Sequence, residues 1–330
     1  MKNYNHLEEI YASIAIELNK IEEEIRLQFQ NNGTLLSYIS NYIFSISGKR
    51  LRPALALLSA KTISQEVREE VINFAIAVEL IHAATLVHDD ILDGAITRRG
   101  QKSVQGKWGS NIAVLVGDNL YAKGFSLLSE RTNGGILNLL SKTVEEMCEG
   151  EGEQAKHKFN FNLEEETYLK IIGNKTARFM SICCKGGALL NGASQKSINV
   201  LEEYGFNLGM AYQIIDDCLD IEKDVQNGEI TLPLIRLLEI ASPDDKEAVV
   251  RIMTGSNGRV LPADFITDAL DRYSVMNYVI GRVAEHIMKA KEKLEKADYP
   301  LSASGDSLVS FADYISDKTG RVKIPAKQSA

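Results

Sequence analysis

Asp89-Asp90-Ile91-Leu92-Asp93 and Asp216-Asp217-Cys218-Leu219-Asp220 are two copies of one carboxylate pattern. Each closes an apolar stretch with helical spacing. On an α-helix, residues four apart share a face. Asp89 with Asp93, and Asp216 with Asp220, therefore each present two carboxylates in one direction. Such a pair repels itself unless a cation neutralises it. Oxygen ligands select a hard ion, and one or two carboxylates together with substrate phosphates are a common protein share of a Mg²⁺ site. Two such clusters facing each other would clamp a diphosphate through about three Mg²⁺ ions. The plainer reading, solvated charge at helix ends, explains one such cluster more easily than two.

Cationic residues supply the complementary signal. Gly48-Lys49-Arg50-Leu51-Arg52-Pro53 places three cations in four positions. Arg offers a planar fork to phosphate oxygens and Lys a compact charge. A basic run at a helix start helps to bind an anion; its alternative is a solvated turn. His82 lies two turns before Asp89 on the same face, where it is either a satisfied core histidine or a contact to a second diphosphate. His88 adjoins the cluster as a candidate support for it. Arg98-Arg99 follow the first cluster across a short loop, and their alternative is a local salt bridge to the aspartates. Lys175-Thr176 fall in a stripe with Ile172, Phe179 and Cys183, where a lysine either snorkels or meets an anion. Gln213 precedes Asp216 by one turn, and an ordinary helix position is its alternative.

These side chains need helices to position them. Leu7, Ile10, Ile14, Leu18 and Ile21 recur at helical spacing, which predicts a helix over 6–30. Further helices are predicted near 34–46, from Arg52-Pro53 onward, and over 66–93, 110–130, 136–160, 164–190, 194–222, 231–242, 245–254, 262–270, 274–295 and 304–317. Gly94 and Thr97-Arg98-Arg99-Gly100 read as a loop, and Asn133-Gly134-Gly135 and Gly255-Ser256-Asn257-Gly258 as turns. No strand alternation is visible, and the tail after Thr319 reads as polar and frayed. A single domain over 1–330 is expected.

Composition narrows the function classes. The 330 residues are 45% hydrophobic, enough for a large core, and carry a formal charge of −8. That charge argues against nucleic-acid binding. Cys148, Cys183, Cys184 and Cys218 form no CxxC pair and read as buried free thiols of a reducing cytoplasm. No signal peptide and no run of eighteen uncharged apolar residues is visible, so no transmembrane helix is expected.

Taken in order, GKRLRP, DDxxD followed by RRG, Lys175-Thr176, and Gln213 before the second DDxxD resemble the trans-isoprenyl diphosphate synthase (polyprenyl synthetase) family. Val114 to Asp118, Gly150 to Gln154 and Thr231-Leu232-Pro233-Leu234 also resemble family segments, and the likeness spans roughly residues 35–240. The resemblance implies an all-α isoprenoid synthase fold, a helical bundle around a central cavity, as a homodimer. It implies head-to-tail condensation of isopentenyl diphosphate with an allylic prenyl diphosphate. By position, Lys49, Arg52 and His82, helped by Arg99, would hold isopentenyl diphosphate. Arg98, Lys175, Thr176 and Gln213 would contact the allylic substrate. Asp89, Asp93, Asp216 and Asp220 would ligate Mg²⁺, with Asp89, Asp93, Asp216 and Lys175 as the catalytic set. The expected partners are the two diphosphates, no nucleic acid, and membranes loosely through a lipid product.

Two details refine the likeness. The stretch Ile221 to Ile230 is shorter than in relatives, and Glu229 stands where a lysine is usual after the glycine. Ahead of the first aspartate, Ala84 and Thr85 stand where large aromatic residues stop chain growth early in the family, which implies a product longer than C20. Two other readings share the fold. A class I terpene cyclase would replace the second DDxxD and lack GKRLRP. A catalytically weak regulatory subunit fits the short loop but not the intact aspartates and basic residues.

Overall fold

The computed structural model describes residues 3–30, 33–46, 48–132, 134–255, 265–296 and 303–321. The tail beyond Arg321 and the predicted helix start at 262–264 lie outside the described residues. Two compact units emerge: Met1–Lys142 with Ile182–Glu202 and Ala297–Leu308, and Thr143–Ser181 with Glu203–Lys296 and Val309–Ala330.

The first unit begins with α1 (Asn3–Tyr11), α2 (Ala15–Phe29), α3 (Leu35–Ser45), α4 (Leu51–Lys61) and α5 (Glu69–Leu92). Helix α5 is its axis. From Val71 to Ala84 every residue except His82 is buried. A helix that is apolar on every side belongs in a core. By length and mean hydropathy α5 could cross a bilayer, but 78% of its most apolar stretch is buried inside the protein. Glu79 interrupts the apolar run and is neutralised within the unit by Arg50 at 2.9 Å.

Beyond α5 come a hairpin of β1 (Thr97–Arg98) and β2 (Gln101–Lys102), then α6 (Val104–Trp108) and α7 (Ser110–Arg131), which packs along α5. Gly124 of α7 permits this approach: a Cβ there would stand 3.1 Å from Ile81 and 3.2 Å from the Ala77 carbonyl.

Next in the chain are α8 (Gly134–Lys156), α9 (Glu165–Ile172), α10 (Arg178–Leu190) and α11 (Gln195–Leu219). Residues 182–190 of α10 return to the first unit, where Gly187 lies so close to the Ala56 carbonyl that a Cβ would be 2.0 Å from it. The second unit adds α12 (Ile221–Asn227), α13 (Leu232–Ile240), α14 (Pro243–Thr254), α15 (Phe265–Arg272), α16 (Val275–Glu295) and α17 (Ala303–Asp317), of which it holds the part from Val309. Helix α13 has Pro233 in its first turn, where a missing N–H costs little, and packs against α16.

The all-α expectation holds, with small corrections. The loop after the first cluster contains the hairpin, the only strand pairing among the described residues. The helix predicted over 164–190 is interrupted by a π-turn at Gly173–Ala177, and the helix predicted over 194–222 ends at Leu219. Cys183, Cys184 and Cys218 are buried thiols as expected, but Cys148 is exposed on α8. Its apolar neighbours in sequence did not reveal that it lies on the outer side of an amphipathic helix.

Candidate active site

The first aspartate cluster occupies the last turn of α5. Asp93 donates its backbone N–H to the Asp89 carbonyl at 2.9 Å, so both carboxylates sit one turn apart on one side. Both are half-buried. The negative end of the helix dipole lies here, where added carboxylates are unfavourable without a cation. Asp90 is different. It is buried, and Arg98 Nε reaches both of its carboxylate oxygens at 2.9 and 3.0 Å. The amide of Gln105 also donates to the Asp90 carbonyl.

The hairpin separates the two arginines. Arg99 (φ 50°) and Gly100 (φ 77°) form its two-residue turn, with Arg98 paired to Gln101. Positive φ at both central positions is what a tight hairpin turn of type I′ demands. The turn sends Arg98 back to Asp90 and carries Arg99 toward the glycine of the basic run: Arg99 Nη1 would lie 3.1 Å from a Cβ on Gly48. Arg98 thus fulfils the salt-bridge alternative.

Within the basic run, Arg50 adopts a left-handed conformation (φ 48°) and turns inward to Glu22 and to buried Glu79. Lys49 is exposed, and its carbonyl accepts from the Tyr11 hydroxyl at 2.8 Å. Arg52 Nη1 meets His82 Nε2 at 2.9 Å. Arginine can only donate, so His82 accepts there and carries its proton on Nδ1. Burial, then the charges of Arg52, Arg99, Arg98 and Arg50, hold the His82 imidazole well below its ordinary pKa.

Nearby positions are less direct. Ala84 is completely buried, and Thr85, half-buried, donates its hydroxyl to the His82 carbonyl at 2.8 Å. His88 belongs to the contact with α7, its Nε2 3.4 Å from the Val114 carbonyl and 3.7 Å from Asp118.

In the second unit the same division recurs at the end of α11. Asp220 N–H donates to the Asp216 carbonyl at 3.0 Å; Asp216 is half-buried and Asp220 exposed. Asp217 is buried, accepting from the Tyr168 hydroxyl at 2.6 Å and from Gln213 Nε2 at 2.7 Å. Burial pushes its carboxyl up to about 7, with Tyr168 and Gln213 pulling the other way. Gln213 Oε1 in turn accepts from Thr176 Oγ1 at 2.7 Å. Gln213 and Thr176, expected beside a substrate, thus form a buttress that reaches the middle aspartate.

Lys175 sits on the π-turn. Its ammonium is 2.6 Å from Glu151 and donates to Gln154 Oε1 at 3.1 Å. A π-turn widens the helix by one residue and is often found at functional sites. Two glycines give it room. A Cβ on Gly150 would stand 2.8 Å from the Lys175 backbone nitrogen, and one on Gly209 would stand 2.6 Å from the Ala177 Cα.

Among the described residues no group of three or more acidic, histidine or cysteine side chains could hold a metal alone. Each aspartate pair is therefore a partial oxygen shell at a negative helix end. That donor set fits a hard divalent ion whose remaining ligands come from phosphate. Arg50, Tyr168 and the π-turn escaped sequence reasoning. Arg50 stood in the basic run without a distinguishing signal, and Tyr168 acts across 49 residues.

A sequence model of the polyprenyl synthetase family matches residues 34–261. The chain is 35% identical to heptaprenyl diphosphate synthase component 2 of Geobacillus stearothermophilus, covering 94% of this chain and 98% of that one. It is 32% identical to the short chain isoprenyl diphosphate synthase of Methanothermobacter thermautotrophicus, covering 84% and 89%. Among solved structures it resembles the polyprenyl synthase of Caulobacter crescentus complexed with calcium and isoprenyl diphosphate. There the TM-score is 0.88 at 28% identity, covering 94% and 97%.

Proposed function

The chain belongs to the polyprenyl synthetase family, and we propose that it joins isopentenyl diphosphate head-to-tail to an allylic prenyl diphosphate in a Mg²⁺-dependent reaction. One observation carries this reading. In both clusters the middle aspartate is buried against neighbours, while the first and last lie one turn apart and outside the core where a long helix ends. The buried middle aspartates serve the fold, and the outer pair of each cluster has a direct use in holding cations on a diphosphate.

In this reading Asp89, Asp93, Asp216 and Asp220 hold Mg²⁺ on the allylic diphosphate. Bound Mg²⁺ would neutralise the charge that develops on the leaving diphosphate. Lys175 adds a fixed positive charge toward the same leaving group. Lys49, Arg52 and Arg99 bind the diphosphate of the second substrate, and neutral His82 accepts from Arg52 and so aims its guanidinium. The double bond of isopentenyl diphosphate attacks the allylic carbon as the carbon–oxygen bond breaks, and the proton lost from the adduct passes to the departing diphosphate. Apolar helices around the reacting carbons keep water from capturing the cation-like centre. A homodimer in the cytoplasm, loosely membrane-associated through its lipid product, belongs to the same reading. The test is direct. The purified chain with Mg²⁺, labelled isopentenyl diphosphate and farnesyl diphosphate should yield extractable labelled prenyl products. Their absence, with folded protein, would leave the regulatory-subunit reading standing.

Two predictions follow the substrates apart. Arg52→Ala should raise the KM for isopentenyl diphosphate by about tenfold or more, and the allylic KM far less, because a charged phosphate contact contributes about 1.5–3 kcal/mol. Equal small changes in both would make the basic run merely structural. The product is proposed to exceed C20, supported by heptaprenyl and octaprenyl synthases among the relatives and by small Ala84 and Thr85. Ala84→Phe should then shorten the product without loss of cooperative unfolding. Unchanged product length from a folded variant would place the limit elsewhere.

A further inference from the structure

Glu229, read in the sequence as a departure from a lysine, is built firmly into the second unit. Helix α12 ends in a paired cap: Gly228, at φ 74°, donates to the Val225 carbonyl at 3.3 Å, and Glu229 N–H donates to the Asp224 carbonyl at 2.8 Å. This is the Schellman pattern, which fixes the residue after the glycine. The cap is docked on the turn that follows α8. Phe159 N–H donates to the Gly228 carbonyl at 2.7 Å, and the Phe159 ring lies where a Cβ on residue 228 would be only 2.3 Å away. Gly228 is thus required twice, for its left-handed backbone and for the ring. The Glu229 carboxylate is thereby delivered to α8.

There it accepts from Gln154 Nε2 at 2.5 Å, with Lys158 at 3.8 Å on its other oxygen. Gln154 Oε1 faces the Lys175 ammonium at 3.1 Å. The chemistry of the two ends allows one amide orientation only. A carboxylate accepts and cannot donate, so it draws the NH₂ end; an ammonium donates and cannot accept, so it draws the oxygen. Without Glu229 the amide loses the partner that holds its oxygen toward Lys175. Glu151 would still balance the lysine's charge, but the Gln154 oxygen would no longer be held in a fixed place to direct the ammonium on its flexible four-carbon stem.

We propose that Glu229 is a positioning residue for Lys175, acting through the Gln154 amide, and that it sets affinity for the allylic diphosphate. The inference deepens the proposed function and rests on its assignment of Lys175 to that substrate. It requires no new ligand and no proton transfer. The segment between the second aspartate cluster and α13 gains a purpose: α12 and its cap bring an acceptor to the end of this relay.

The experiment compares wild type, Glu229→Ala, Glu229→Gln, Lys175→Ala and the Lys175→Ala/Glu229→Ala double variant. Initial rates of labelled isopentenyl diphosphate incorporation are measured with farnesyl diphosphate and Mg²⁺. Glu229→Ala is expected to raise the KM for farnesyl diphosphate about five- to tenfold, the size of one ordinary hydrogen bond lost from the relay. The KM for isopentenyl diphosphate should stay within about twofold, since Glu229 acts on Lys175 and not on the basic run assigned to that substrate. Glu229→Gln can still offer an amide oxygen to Gln154 and should retain near wild-type values, which also guards against a folding defect in the alanine variant. In the double variant the Glu229→Ala effect should vanish, leaving the KM of Lys175→Ala. A full effect persisting without Lys175, no effect of Glu229→Ala, or failure of the glutamine variant to rescue would overturn the relay while Lys175→Ala still weakens farnesyl diphosphate. A Lys175→Ala variant with unchanged KM would instead refute the substrate assignment and the relay with it.

Discussion

Asp89→Asn and Asp216→Asn should each lower kcat by about 10²-fold or more, because each removes an oxygen ligand from a cation that offsets transition-state charge. The same variants should fold and melt at or slightly above the wild-type temperature. Each takes a negative charge from the negative end of a helix, a change worth roughly 0.3–1 kcal/mol in favour of the fold. Asp90→Asn should show the reverse balance. Its carboxylate is buried and bound through both oxygens to Arg98 Nε, so its neutralisation leaves Arg98 poorly matched and lowers the melting temperature. Steady-state rates and thermal melts on the three variants separate the two roles. Undiminished turnover at limiting Mg²⁺ in both Asp89→Asn and Asp216→Asn would remove the metal assignment.

The second large effect is expected at a position that touches no substrate. Gly209→Ala puts a Cβ 2.6 Å from the Ala177 Cα, and two backbones must separate to accept it. Overpacking of this kind costs about 1–3 kcal/mol. The displaced backbone is the π-turn that carries Lys175 and Thr176. Turnover should therefore fall at least about tenfold at temperatures where the variant is fully folded, since small misplacements of a positioned group are costly. Gly281→Ala is the control. That glycine is exposed on α16 with nothing within 4 Å of an added Cβ. Alanine there should stabilise the helix by about 0.5–1 kcal/mol and leave turnover unchanged. If Gly209→Ala keeps full activity, the π-turn does not hold the reacting geometry.

These expectations separate what is local in this protein from what is not. Helices and paired carboxylates were legible because both rest on spacing within a few residues: apolar periodicity, and aspartates four apart. Asp89 with Asp93 and Asp216 with Asp220 needed no tertiary knowledge. The basic run, Lys175-Thr176 and the order of the motifs were enough for the family and the all-α fold.

The chain alone did not distinguish Asp89 from Asp90, or Arg98 from Arg99, because adjacent residues of one type differ only in what surrounds them. A helix turn sends Asp90 into the core and a type I′ hairpin turn returns Arg98 to it. The left-handed backbone of Arg50 and its bond to Glu79, 29 residues away, follow from the burial of α5 and not from any local preference. The π-turn exists because Gly150 and Gly209, far apart in the chain, leave room for it. Glu229 reads in sequence as a lost cation and in the structure as the anchor of Gln154, 75 residues earlier. Local spacing determined which chemical groups this chain offers and on which helices. Packing among distant segments decided which of them are buried against partners and which stay accessible, because burial and hydrogen-bond partners are set only when those segments meet.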